Sequence, residues 1–205
     1  MTASLTLYSA KNTCALAVQI ALLEADAPHT VVWLDFAAQQ QRGADYLAIN
    51  PKGRVPALAT EHGVLTETPA LLFYVAQRFA VAQLAPLNNA FEIARMQELM
   101  NYLASTVHVS HAHGRRGVRW ADDASSHADM LRKMPQNMVD GFNVIEQHYL
   151  QGPWVLGDVY SVADAYLFTV ASWLKGDGVD IAQFPKVHAH TQRMLQRPAV
   201  QKALA

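Results

Sequence analysis

With 205 residues, 51% hydrophobic and 16% charged, the chain has the balance of an ordinary globular protein that can bury a substantial core. Its formal net charge is −1, from 16 basic and 17 acidic residues, so no global field gathers nucleic acid or anionic lipid, and neither is expected as a partner. One cysteine, Cys14, excludes an internal disulfide and a Cys-rich zinc site.

The start, MTASLTLYSA, lacks the basic region and apolar stretch of a signal peptide, and runs such as ALLFYVA are too short to span a bilayer. A cytoplasmic protein is the expectation. From residue 5 the pattern runs strand, helix, strand: LTLYS is β-prone, CALAVQIALLEA is rich in helix formers, and HTVVWLDF returns to β-branched and aromatic residues. Such a βαβ unit has parallel strands, with the first loop at their carboxyl ends, where ligands sit in open α/β sheets. Cys14 falls at that loop.

A short helix is expected over GADYLAINP, ended by Pro51. RVPALAT and GVLTE then read as a hairpin around EHG. TPALLFYVAQRFA is a third helix, with Thr68 as candidate cap and Pro69 at its first position. Residues 1–80 therefore form a small α/β domain. The stretch VAQLAPLNN, within 81–90, reads as a linker, and 91–205 as an all-helical domain.

In that second domain, Ile93, Met96, Met100, Leu103 and Val107 make an apolar stripe on a long helix. Another helix is expected over much of 122–149, bent or broken at Pro135 and Gly141. Ser161 and Asp164 have capping-box spacing before a further helix. Short helices follow around QFPKVHAHTQRMLQ and PAVQKAL.

Two readings of Cys14 stand side by side. A buried cysteine acts as a small apolar side chain, whereas a thiol in a first helical turn feels the positive end of the macrodipole, which favours a thiolate, its own or a ligand's. In CALA, Ala17 stands where a dithiol motif has its second cysteine, so any redox partner thiol comes from outside. In NPKGRVPAL, Val55-Pro56 is either a cis bond exposing the Val55 backbone to an extended peptide or a trans proline in an ordinary loop.

The combination of NPKGRVPAL, LTETPALLFYVAQRF, an all-helical second half and SVADAYLF resembles the cytosolic glutathione transferases across essentially the whole chain. It is most similar to the bacterial beta class, since Cys14 in LYSAKNTCALAVQIAL and Asn101 and His108 in NYLASTVH match that class's pattern. The resemblance implies a thioredoxin-like N-terminal domain and a helical C-terminal domain. It further implies glutathione as co-substrate, a hydrophobic electrophile as second substrate and a homodimer.

Carried over by residue, the resemblance implies that Val55, before cis-Pro56, pairs with the cysteinyl part of glutathione. Glu67 and Thr68 hold its γ-glutamyl end, by ion pairing to the ammonium and by N–H and hydroxyl contacts to the α-carboxylate. Asn101 reaches the glutathione of the other subunit, and His108 approaches the sulfur. In a regular helix Asn101 and His108 share one face, roughly 100° around from the apolar stripe, and both face one cleft.

DFAAQQQRG lacks the lysine that the class often places near the glycyl carboxylate, and Val109 stands where another lysine is common. Arg42, Lys52 or Arg54 compensate, or are solvated surface charges. In HVSHAHGRRGVR, His108, His111 and His113 do not share one helix face, and no metal site is expected. Arg115, Arg116 and Arg119 either attract an anionic co-substrate or end a solvated helix. Met100, Tyr102, Trp120, Tyr166 and Trp173 are candidate wall residues.

The expected activity is conjugation of the glutathione thiolate to an electrophilic carbon, with or without thiol-disulfide exchange through Cys14. A glutathione-dependent isomerase or dehalogenase, or a non-catalytic binding or interaction protein, are the alternatives.

Overall fold

The structure, a computed structural model, describes residues 5–205; Met1–Ser4, at the start of the first expected domain, lie outside the described residues. Along β1 (Leu5–Ser9) alternate side chains are buried, placing Leu5, Leu7 and Ser9 in the core. Helix α1 (Ala15–Glu24) buries Ala15, Ala17, Val18, Ile20, Ala21 and Leu22. A helix apolar on so much of its circumference has to be covered on more than one side. It returns the chain to β2 (His29–Trp33), which pairs in parallel with β1, Leu7 opposite Val31.

After α2 (Ala44–Ile49), β3 (Ala57–Thr60) and β4 (Gly63–Thr66) form an antiparallel hairpin. Strand β3 also runs antiparallel to β1, with Leu58 opposite Leu7, giving the order β2-β1-β3-β4. This four-stranded sheet, with the helix order around it, is the thioredoxin-like arrangement. Helix α3 (Thr68–Arg78) follows, but its cap is Glu67, one residue before the expected Thr68. Thr68 is already helical, with its side chain buried.

From Asn89 onward the regular elements are helices, joined by turns, and the only β pairing there among the described residues is two isolated bridges between Trp154 and Val159. The Asn89 side chain accepts hydrogen bonds from the Phe91 and Glu92 N–H groups and caps α4 (Ala90–Tyr102). The expected stripe is present: Met96, Met100, Leu103 and Val107 are buried and Ile93 is half-buried. The helix continues through a π-helical segment (Leu103–Val107) into α5 (His108–Arg116).

Helix α6 (Ala124–Val144) passes through Pro135 and Gly141 without a break, so of the expected bend or break the break is absent, and it runs into a second π-helical segment (Ile145–Tyr149). The carbonyl that Pro135 cannot serve belongs to Leu131, which is exposed, so water can take its place. Gly141 is a packing residue: a Cβ there would lie 3.2 Å from Val107 Cγ2.

All ten residues of α7 (Val162–Ala171) are buried. It packs against α1, α3 and α4 as well as α8 (Pro185–Leu195), with α9 (Pro198–Leu204) closing over α1. One apolar cluster therefore runs from Leu7 on the sheet through Leu72 to Met100, Phe142 and Tyr166. No helix among the described residues is long and apolar enough to cross a membrane.

The start of α7 is held by Asp164. The Ser161 N–H donates to Asp164 Oδ2 at 2.8 Å, completing a capping box, and the Val155 N–H donates to Oδ1 at 2.8 Å. His190 Nε2 lies 3.0 Å from the same Oδ1. Asp164→Ala leaves these buried groups unpaired, and the expected cost is about 3 kcal/mol. Urea unfolding measures it; unchanged stability would show that the cluster contributes nothing.

Candidate active site

The carboxyl end of β1, the loop before β3 and the start of α3 converge on one cleft of about 190 Å³, closed on its far side by α5. Cys14 caps α1, and its Sγ lies 3.7 Å from the Val55 carbonyl oxygen. The Val55-Pro56 peptide bond is cis. The loop ahead of it is fastened at Arg54, whose carbonyl accepts from Tyr46 Oη and Asn50 Nδ2, each at 2.7 Å. Gly53 turns the chain at φ +59°, where a Cβ would lie 2.9 Å from the Gln41 carbonyl oxygen.

Glu67 holds a conformation uncommon for a side-chain-bearing residue, φ 74° and ψ 117°, at the N-terminus of α3. Such outliers cluster at ligand sites. Its carboxylate accepts from Lys52 Nζ at 2.6 Å, and the same ammonium donates to Thr66 Oγ1 at 2.8 Å. Lys52 is thus engaged with Glu67, while Arg54 faces the cleft without an ion-pair partner among the described residues.

The helical wall contributes His108, His111, Arg116, Arg119, Trp120, Tyr166 and Trp173, together with Ala104 and Ala112. His111 Nδ1 lies 2.7 Å from Asp177 Oδ2, and its ring stacks on Trp173 at 4.5 Å. Trp173 in turn packs against His108, ring centres 4.8 Å apart. Buried Asp177 thus positions the aromatic group around His108. Arg116 Nη2 donates to His108 Nε2 at 3.4 Å; since a guanidinium only donates, this contact puts the neutral ring's proton on Nδ1.

Burial and charge together set the protonation states. Burial, with further contributions from Arg116, His111, Arg119 and Arg54, takes the His108 pKa down to about 3, so the ring is neutral at physiological pH. Burial pushes the Cys14 thiol up, while the Thr68 hydroxyl and the Arg116 guanidinium pull it down less strongly. In the unliganded cleft, the position of Cys14 at a helix start does not make it a thiolate, because loss of water outweighs the favourable neighbours.

Of the sequence-predicted residues, the structure brings Cys14, Lys52, Arg54, Val55, Pro56, Glu67, Thr68 and His108 to one cleft. It does not bring Asn101 there: that side chain is exposed and lies outside the lining. The π-helical segment between Asn101 and His108 closes i→i+5 bonds and advances less per residue than the roughly 100° of an α-helix. His108 is therefore rotated off the face that regular spacing assigned to both. Trp120, Tyr166 and Trp173 line the cleft, whereas Met100 and Tyr102 do not. Asn50, Asp177 and the distinct placement of Arg116 were missed; the i, i+4 spacing of His111 and Arg115, both facing Asp177, was the available signal.

A thioredoxin-like sheet carrying a cysteine, a cis-proline loop and a helix N-terminus, faced by a helical wall, defines a two-part protein built to hold a small peptide-like thiol. Family models described as the N-terminal and C-terminal domains of glutathione S-transferase match residues 3–77 and 119–193. The chain is 31% identical to glutathione S-transferase GstA of Escherichia coli O157:H7, over 97% of this chain and 96% of that protein. The crystal structure of a glutathione transferase homolog from Sulfitobacter with bound glutathione superposes with a TM-score of 0.96 at 48% identity, covering 98% and 97% of the two chains. A bacterial beta class enzyme of Sphingomonas chungbukensis superposes at 0.85 with 30% identity, covering 97% and 96%. The chain belongs to the glutathione S-transferase family.

The elevated Cys14 pKa has a direct consequence. At pH 7 a smaller fraction is thiolate than for free cysteine, and that fraction rises only as pH passes above the ordinary thiol value of about 8.5. Iodoacetamide should alkylate the protein without glutathione more slowly than free cysteine at pH 7, accelerating into the alkaline range. Fast alkylation at neutral pH would show a preformed thiolate.

Proposed function

We propose that the protein is a glutathione transferase that joins the glutathione thiolate to an electrophilic carbon. The observation that carries this reading is the convergence of Val55, Glu67 and Thr68 from the sheet side with His108 and Arg116 from the helical side on one cleft. Glutathione lies extended along the Val55 backbone, as an added strand would. Its γ-glutamyl carboxylate meets the N–H groups at the start of α3 and the Thr68 hydroxyl, and its ammonium meets Glu67. Arg54 takes the glycyl carboxylate in place of the lysine absent from DFAAQQQRG.

The chemistry needs little beyond positioning and charge. Cationic Arg116 and neutral His108, acting as a hydrogen-bond donor, stabilise the glutathione thiolate, while the thiol proton leaves to solvent. The sulfur attacks the electrophilic carbon, a C–S bond forms, and the leaving group departs with its electron pair. Such conjugation is the chemistry of detoxification, set in the cytoplasm where glutathione is kept reduced. A homodimer is part of this reading: Asn101, exposed on its own chain, is free to reach the glutathione of a second copy.

The Cys14 sulfur in the cleft supports a second reaction. Cys14 first loses its proton to solvent, and the thiolate so formed attacks a glutathione mixed disulfide, releasing the substrate thiolate, which takes up a proton, and leaving glutathione bound to Cys14; a second glutathione thiolate then restores Cys14 and releases glutathione disulfide. Calorimetric titration with reduced glutathione, followed by turnover assays of the wild type and Cys14→Ala, tests both routes. The expected result is micromolar to low-millimolar binding, aryl-halide conjugation retained in Cys14→Ala, and mixed-disulfide reduction abolished. No detectable glutathione binding would remove the transferase reading, and loss of both activities in Cys14→Ala would remove the division of labour.

A further inference from the structure

The cleft is far more cationic than the chain. The protein has a formal net charge of −1, yet Lys52, Arg54, Arg116 and Arg119 line the cleft against the single carboxylate of Glu67. Lys52 is engaged with that carboxylate. Arg54, Arg116 and Arg119 form no ion pair with a carboxylate among the described residues. With the glycyl carboxylate of glutathione assigned to Arg54 and the thiolate beside Arg116, neither arginine of the helical wall is matched by a carboxylate, and Arg119 is matched by no anion at all among the described residues.

Neighbouring Arg115 shows what a structural arginine looks like on this helix. Its Nη2 donates to the Gly176 carbonyl and lies 3.3 Å from Asp177 Oδ1, and the residue takes no part in the cleft. Arg116 is arranged in the opposite way. Its Nε is shut off from solvent without a hydrogen-bond partner, and its one side-chain hydrogen bond among the described residues is to His108. A buried, unpaired donor on a cation is costly, and that cost is removed when a ligand supplies an acceptor. Burial and the nearby arginines Arg116, Arg54 and Arg42 also take the Arg119 pKa down to about 10, so it remains a cation at neutral pH, crowded by like charges.

The shape of the wall specifies what accompanies the anion. Trp120 follows Arg119 directly and is half-exposed, while Trp173 lies beyond His108 with its ring held by His111. Two planar aromatic side chains therefore line the same cleft as two guanidinium groups suited to bidentate contact with a carboxylate.

Resting on the transferase reading above, the geometry points to an anion subsite on the helical wall: Arg116 and Arg119 hold the carboxylate of an aromatic electrophile whose ring lies against Trp120 and Trp173. The second substrate is a carboxylate-bearing aromatic rather than a neutral hydrophobe, and its carboxylate enters no bond-making step.

The test uses unreactive ligands, so that it is independent of turnover. Binding of dinitrobenzoate and of its neutral amide, dinitrobenzamide, is measured by calorimetry with the glutathione site saturated by S-methylglutathione. Wild type is expected to bind the carboxylate about tenfold or more tighter than the amide. In Arg116→Gln and Arg119→Gln, checked for native folding by circular dichroism, that preference collapses while amide affinity changes little. Equal affinity of the two ligands for wild type would overturn the subsite. Displacement of dinitrobenzoate by S-methylglutathione would overturn it too, by returning the arginines to glutathione's own carboxylates. Turnover of chlorodinitrobenzene with glutathione by the wild type is assayed in parallel: its absence would fault the transferase reading, whereas the ligand pair decides the subsite alone.

Discussion

The packing of α1 on α7 fixes everything that happens in the cleft. Helix α1 is apolar on most of its surface and α7 is buried along its whole length, so each needs the other for cover. Cys14 caps α1 and Tyr166 lies on α7, and both line the cleft. The seam therefore sets the distance between the sheet-side loop that presents Val55 and the helix that carries His108. Asp164 matters for the same reason: it fixes the start of α7 through Ser161, Val155 and His190, although it does not itself line the cleft.

Burial and positive charge act against each other within the site. Withdrawal from water holds Cys14 protonated and His108 neutral. Arginines, which keep their charge under the same conditions, then carry the positive potential that a thiolate requires. The lysines that the family pattern supplies after His108 and in the loop at 35–43 are absent here. In the proposed reading their role passes to Arg54 and Arg116, which reach the cleft from different elements. The change from lysine to arginine also alters geometry, because a planar fork pairs with a carboxylate in a way that an ammonium does not.

Much of this was legible in the sequence, for identifiable reasons. The βαβ unit, the hairpin and the helical second half follow from periodicity and turn residues, and the Ser161–Asp164 box follows from capping spacing alone. Cys14, Val55, Pro56, Glu67, Thr68 and His108 were found through resemblance to a family, since none is distinctive by residue type. Three features escaped. The π-helical segment after Tyr102, which no residue pattern announces, rotates His108 away from Asn101. Proline breaks helices on average, but the carbonyl that Pro135 leaves without a donor belongs to an exposed residue, Leu131. Arg115 and Arg116 are adjacent in sequence, yet one is matched by Asp177 and the other lines the cleft, a division that only the position of Asp177 decides.

The central claim is that this cleft turns bound glutathione into a thiolate although its own cysteine stays protonated. Thiolate absorbance of glutathione bound to the Cys14→Ala protein, titrated with pH, measures this without interference from Cys14. The account predicts a midpoint at least about one pH unit below the ordinary thiol value of about 8.5. A midpoint at or above that value, with glutathione fully bound, would contradict it.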